Sequence, residues 1–241
     1  MNSYIKIKNL TKKFGSKTII NNIDLKINKG DVLGLVGVNG AGKTTTLRMI
    51  TGFIIPTDGI ITIMNKEVSP QNIDYKKHIG YLPEGSPLYT DLSPKAFLNF
   101  IATARGLKGD KKAERIEFVI QSLQLESVLD QAIDTLSKGF KRRVGLAQAI
   151  LHDPDILILD EPTDGLDPVQ KREVRNLIKK IAKDKAIIIS THIMEEVSAI
   201  CTRLVILKNG KVAVDKNPKE IFTIQKDEDI DKQFIEMIKP E

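Results

Sequence analysis

Residues 37–44, Gly37-Val38-Asn39-Gly40-Ala41-Gly42-Lys43-Thr44, constrain the fold more than any other stretch, because they fit the pattern G-x-x-x-x-G-K-[ST]. Ahead of them, residues 31–36 (DVLGLV) have the branched apolar run of a buried strand, and residues 45–50 continue as a helix. The glycines let backbone N–H groups turn inward, and the start of the following helix adds positive potential, so the segment predicts an anion cradle. Lys43 is expected to reach the β and γ phosphates of a nucleotide. Thr44 would offer a hydroxyl to Mg²⁺, and Thr45 would contact the α phosphate. A glycine-rich turn with a solvated lysine would explain the same letters alone, but not the strand and helix on either side.

Further along the chain, residues 136–167 read LSKGFKRRVGLAQAILHDPDILILDEPTDGLD. Residues 156–159 are a continuous apolar run of the kind buried on both faces in a parallel sheet, and Asp160 and Glu161 follow at its end. Charges at a buried strand mouth are costly unless they are used. Asp160 is expected to complete the protein side of a metal shell, directly or through water, and Glu161 to act as general base on a water aimed at the γ phosphate. Pro162 forces the chain out of regular structure just after the acid pair. A second apolar strand, residues 186–190, ends in Thr191-His192, which places His192 at the carboxyl edge where ligands of open α/β sheets collect and makes it a candidate γ-phosphate sensor. His78 and His152 have no such setting and read as ordinary side chains.

These segments in this order resemble the nucleotide-binding subunit of ABC transporters: Phe14, the loop 37–45, Leu136-Ser137-Lys138-Gly139-Phe140, the acidic strand 156–161, Asp164-Gly165-Leu166-Asp167 and His192. The resemblance covers the chain up to about Asp215, and its most specific element is the Leu136 segment standing ahead of the acidic strand. It implies an α/β fold, a P-loop NTPase (RecA-like) core with an antiparallel β lobe and an inserted helical subdomain. It also implies a head-to-tail dimer holding two ATP molecules with Mg²⁺. In that dimer Ser137 and Gly139 of one copy would touch the γ phosphate held by the Lys43 of the other, Asp167 would couple the two sites, and Phe14 would stack on adenine. From the residues alone, Ser137 reads as a helix N-cap and Lys141, Arg142 and Arg143 as surface charge.

Two positions depart from the family's usual pattern. Its signature is commonly Leu-Ser-Gly-Gly-Gln, whereas Lys138 and Phe140 stand at the third and fifth places here. Glu84, in residues 79–84 (IGYLPE), stands where the family generally has a glutamine that contacts Mg²⁺. A carboxylate binds the cation more strongly than an amide, so Glu84 is read as a metal-side residue with Thr44 and Asp160.

Composition sets the remaining bounds. At 241 residues the chain can bury a full α/β core. No apolar run approaches the ~18–20 residues needed to span a bilayer, and the first ten residues carry no signal-peptide core. Any membrane link is therefore expected through a partner, and the resemblance implies that this partner is a set of transmembrane permease subunits, with the chain on the cytoplasmic face of the inner membrane. A single cysteine, Cys201, excludes an intramolecular disulfide framework and reads as buried filler. The net charge of +6 comes from scattered lysines, and the one tight cluster, residues 141–143, is not interleaved with aromatics. A solvated surface fits this better than a nucleic-acid partner.

Along the chain, residues 4–10, 19–27 and 59–63 alternate apolar and polar residues and predict an antiparallel β lobe. Residues 93–150 turn helical, with Ala96, Phe97, Phe100, Ile101 and Ala104 expected on one buried face and Ile116, Val119, Ile120 and Leu123 on another. The expected organisation is one ATP-binding domain over 1–223, with its core at roughly 1–90 and 151–223, the helical lobe at roughly 91–150, and a charged tail over 224–241. The connection 85–92 is, by resemblance, the socket for a coupling helix of the membrane partner. The residues around Glu84 and the Leu-Ser-Lys-Gly signature look most like ABC-2 class ATPases, which serve exporters. The competing readings are a soluble ABC ATPase acting on ribosomes or nucleic acid, which would carry a second cassette or long coiled coils, and a phosphate-loop kinase, which gives the Leu136 segment no purpose.

Overall fold

A computed structural model describes residues 3–85 and 87–221, so the charged tail expected over 224–241 lies outside the described residues. In chain order the elements are β1 (Ser3–Phe14), β2 (Lys17–Asn28), β3 (Val32–Val36), α1 (Lys43–Ile50), β4 (Asp58–Ile63), β5 (Lys66–Glu67) and β6 (Ile79–Leu82). They continue with α2 (Pro94–Ala104), α3 (Gly109–Ser122), α4 (Lys138–Ile150), β7 (Ile156–Asp160), α5 (Pro168–Ala182), β8 (Ala186–Ser190), α6 (Met194–Ile200), β9 (Arg203–Lys208), β10 (Lys211–Lys216) and α7 (Pro218–Ile221). The chain divides into two compact units, one from the described parts of residues 1–76 and 182–241, the other from residues 77–181.

The first unit holds a four-stranded antiparallel sheet in the order β2-β1-β4-β5. Its alternation is the one the sequence predicts: Ile5, Ile7, Ile23, Leu25 and Ile27 are buried between polar neighbours. The pairing runs further than the expected end at Leu10, because the register shifts between Ile7 and Leu10 and β1 then continues to Phe14. Asn9 and Asn22 take φ of 51° and 52° at these irregularities, a region asparagine tolerates better than most side chains. Each inserted residue swaps the faces of those beyond it, so the alternation fails where the strand does not.

The same unit contains a run of strands in the order β10-β9-β3-β8, with β3 parallel to both β8 and β9. β3 and β8 are buried along their whole length, as their unbroken apolar sequences require. Val36, Met194, Val197, Leu204 and Ile206 form a core beneath them, and Cys201 packs against it. The turn at Asn209 and Gly210, both at positive φ, closes the β9–β10 hairpin, as Asn-Gly favours.

In the second unit β6 and β7 pair in parallel, with Gly80 beside Leu157. Ser93 caps α2 by accepting a hydrogen bond from the Ala96 amide, and Pro94 stands at its first turn. The expected burial of α3 holds at Val119 and Leu123. That of α2 holds at Phe97 but not along the rest of the expected face: the helix buries Pro94, Phe97, Leu98 and Ala102, while Ala96 and Ala104 are exposed and Phe100 remains 50% exposed. Two adjoining stripes of this helix are both apolar, and a 3.6-residue period alone does not select between them.

Candidate nucleotide site

In the first unit the loop 37–42 leaves β3 and enters α1. Val38, Asn39 and Gly40 form its exposed rim, Gly37, Ala41 and Gly42 are buried, and Lys43, Thr44 and Thr45 are half-buried. Gly42 has φ 102°, and a Cβ there would lie 2.3 Å from Ile20 Cδ1 and 3.2 Å from the Ile19 carbonyl, so β2 backs the loop and only glycine fits. The Lys43 ammonium folds over its own loop, donating to the carbonyls of Gly37 at 2.7 Å and Val38 at 3.3 Å. No acidic residue stands in the first turn of α1, so nothing there offsets the positive end of the helix.

Phe14 ends β1 with its ring 52% exposed and Lys12 Nζ 4.9 Å from the ring centroid. A half-exposed ring at a strand end is free of the core role that a lone phenylalanine usually has. His192 is exposed just beyond β8. The residue before it is not: the Thr191 hydroxyl is buried, donates to the Glu196 carboxylate at 2.8 Å and accepts from the Ile193 amide at 3.1 Å. This buried pair holds the turn that presents His192, and no periodicity or motif marks it in the sequence.

In the second unit the apolar strand β7 ends in Asp160, 2% exposed, and Glu161 follows with φ 53°. Ser137 caps α4, its hydroxyl accepting from the Phe140 amide at 3.3 Å. Gly139 lies at a close approach, since a Cβ there would come within 2.9 Å of Gln170 Oε1 and 3.4 Å of the Gly165 carbonyl. Asp167 is exposed and accepts from the Gln170 amide at 2.9 Å, at the start of α5. Glu84 is exposed just after β6, and Tyr89 packs edge-on against Phe100, ring centroids 5.5 Å apart. The second unit thus holds Glu84, Ser137, Gly139, Asp160, Glu161 and Asp167, and the first holds Phe14, residues 37–45 and His192.

The expectation of surface charge at residues 141–143 is corrected for two of the three: Arg142 and Arg143 are each only 5% exposed. Arg143 donates to the carbonyls of Leu123 and Gln124 at 3.0 and 3.2 Å, and its guanidinium lies 4.2 Å from the Phe140 ring centroid. It therefore satisfies the carbonyls that end α3. Arg142 donates to the carbonyls of Pro83, Asp160 and Glu161. Burial pulls both guanidinium groups below their ordinary value, and nearby carboxylates oppose it. Sequence reading missed both because a run of three basic residues looks the same whether solvated or buried. His78 and His152 are structural, as expected: His78 Nδ1 pairs with Asp155 at 2.6 Å and His152 Nε2 meets the Ile79 carbonyl at 3.0 Å.

The donor chemistry of each unit suits a nucleotide-bound Mg²⁺: Thr44 in the first and Asp160 in the second each offer a hard oxygen of the kind that ion prefers, and it takes only one or two protein ligands when phosphates supply others. Among the described residues no group of three or more His, Cys, Asp or Glu side chains forms a self-sufficient metal cage. No helix among them is long and apolar enough to cross a membrane.

Known proteins share this arrangement. The family described as ABC transporter matches residues 20–164. The uncharacterized ABC transporter ATP-binding protein YhcH of Bacillus subtilis (strain 168) is 39% identical over 222 residues, covering 91% of this chain and 72% of that protein. The probable multidrug ABC transporter ATP-binding protein YbhF of Escherichia coli (strain K12) is 32% identical over 240 residues, 97% of this chain, and the chain spans 41% of that protein's length. A dimeric ATP-binding cassette solved in a post-hydrolysis state with ADP and Pi superimposes with a TM-score of 0.81 at 25% identity, over 89% of this chain and 98% of that one. A family match over residues 20–164 of a 241-residue chain, joined to a loop shaped for phosphate, places the protein in the ABC transporter family as an ATP-binding domain of P-loop NTPase fold.

Proposed function

We propose that the chain is the Mg²⁺-dependent ATP-hydrolysing subunit of an ABC-2 type exporter, acting as a pair of copies on separate transmembrane subunits at the inner face of the cell membrane. The observation that carries the reading is the buried Asp160 ending an entirely buried strand, with Glu161 next to it in a left-handed conformation. Lys43, Thr44 and Thr45 bind the phosphates, Thr44 and Asp160 hold the cation with Glu84 on its metal side, and Phe14 stacks on adenine. When bound, the cation offsets the charge of the β and γ phosphates. Glu161 accepts a proton from the attacking water, His192 senses the γ phosphate, and the products are ADP and phosphate.

Ser137 and Gly139 meet the γ phosphate bound by the other copy, and Asp167 couples the two sites. Three relationships support this pairing: the capped start of α4, the contact of Gly139 with the loop before α5, and the similarity to a dimeric cassette. The multidrug description of one relative supports export. Tyr89, 57% exposed beside Phe100, suits a socket for a helix of the membrane partner. The domain spans 1–223, and its helical lobe, roughly 91–150, transmits closure.

The test is Glu161→Gln protein assayed for ATP hydrolysis and for mass by light scattering with and without Mg-ATP. The expected result is hydrolysis lower by about 10²- to 10⁴-fold and a nucleotide-dependent doubling of mass. Hydrolysis at the wild-type rate would remove Glu161 from the mechanism, and labelled phosphate on an acceptor rather than in solution would defeat the ATPase reading.

A further inference from the structure

Two adjacent arginines on one helix are buried, and they serve different ends. The hydrogen bonds of Arg143 complete a helix terminus, a structural role independent of the site. Those of Arg142 converge on the catalytic strand mouth. One terminal nitrogen donates to the Pro83 carbonyl at 3.0 Å, and the other donates to the carbonyls of Asp160 and Glu161.

The last two carbonyls bracket a single α carbon. The Asp160 carbonyl belongs to the peptide plane that enters Glu161, and the Glu161 carbonyl belongs to the plane that leaves it. Glu161 sits at φ 53°, a conformation that residues other than glycine hold only where their surroundings impose it. The Asp164 amide also donates to the Glu161 carbonyl at 3.1 Å, so the outgoing plane has a second hold.

We propose that Arg142 is a positioning residue for ATP hydrolysis: by gripping both peptide planes that flank Glu161, it fixes the left-handed backbone there and with it the direction of the Glu161 carboxylate. The inference rests on the reading of Glu161 as the general base. Through Pro83 the same guanidinium ties down the start of the segment that carries Glu84. Arg142 also rides on α4, whose capped start holds Ser137 and Gly139, so the signature segment and the base share one rigid connection. Burial lowers the pKa of this guanidinium, and the carboxylates of Asp164, Asp160, Glu161 and Glu84 oppose that lowering. The planar fork sets its donors on two separate nitrogens, one for the Pro83 carbonyl and one for the two around Glu161, whereas the three donors of a lysine radiate from a single atom and lack that fixed spread.

The experiment compares Arg142→Lys and Arg142→Gln in the wild-type and Glu161→Gln backgrounds, reading kcat and KM for ATP and the thermal unfolding midpoint of the full chain. In the wild-type background Arg142→Lys is expected to lower kcat by about 10²-fold, the cost of a misplaced catalytic group, with KM close to wild type. Arg142→Gln, whose amide still donates, is expected to behave alike and gives a second variant should the lysine protein fold poorly. In the Glu161→Gln background neither substitution is expected to reduce the residual rate further. Equal losses in both backgrounds, or a raised KM with unchanged kcat, would overturn the proposal and leave Arg142 a fold-stabilising residue. If Glu161→Gln alone hydrolyses ATP at the wild-type rate, the reading of Glu161 fails, and the role of Arg142 falls with it.

Discussion

Lys138 Nζ lies 2.9 Å from Asp164 Oδ2, and the lysine stem crosses Gly165, where an added Cβ would come within 2.6 Å of Lys138 Cδ. The residue that departs from Leu-Ser-Gly-Gly-Gln thus joins the start of α4 to the loop 164–167. Its side chain packs on the one position of that loop with no side chain of its own.

Both partners of this ion pair are largely exposed, 70% and 52%, so solvent screens the charges and the stem supplies the contact. Lys138→Met, which keeps the stem and removes the charge, is expected to change stability by less than about 1 kcal/mol in urea unfolding, with no added dependence on salt. A larger loss that high salt reproduces in the wild-type protein would show that the charge matters more than the stem.

Phe14 offers a half-exposed ring, and base stacking on such a ring contributes about 1–3 kcal/mol. Phe14→Ala should therefore raise the Kd for ATP by a corresponding factor and leave kcat near wild type, while Phe14→Tyr should bind normally. Nucleotide titration followed by fluorescence or calorimetry checks both, and unchanged affinity in the alanine variant would place adenine elsewhere.

Gly80 is the point where β6 meets α4. A Cβ there would fall 2.0 Å from the Ala149 carbonyl and 2.8 Å from Pro154 Cγ, and backbone cannot step aside as a flexible side chain does. Gly80→Ala is expected to destabilise the fold by about 1–3 kcal/mol or more, as an overpacked core does. A midpoint of denaturant unfolding equal to wild type would contradict the packing described here.

Burial, aided by the Glu196 carboxylate, pushes the Cys201 thiol up to about 12. Little thiolate exists near neutral pH, so the native protein should resist alkylation there and react once denatured, which mass spectrometry reads directly. The sign of the linked stability follows. The folded state keeps its thiol proton where the unfolded state loses it, so the thiol's contribution is steady below the ordinary range near 8.5 and declines as pH rises from there towards 12.

Much of the fold was legible because its signals are local. Branched apolar runs marked β3, β7 and β8, alternation marked β1, β2 and β4, and Asn209-Gly210 marked the last hairpin. The phosphate loop was legible because its glycines answer to geometry within a few residues. What escaped notice was decided by neighbours distant in sequence: the continuation of β1 past its bulge, the buried stripe of α2, and the Thr191–Glu196 pair behind His192.

The sequence by itself determined which residue types stand at the carboxyl ends of the buried strands and at the helix starts, since those follow from apolar periodicity, glycine conformational freedom and capping. Tertiary structure alone decided where the long side chains go. Arg142 and Arg143 carry the same letter and sit side by side, yet one reaches the peptide planes around Glu161 and the other the end of α3. A buried guanidinium must place its several donors on acceptors within its reach, and the carbonyls that Arg142 and Arg143 find are brought there only once segments from different parts of the chain have met.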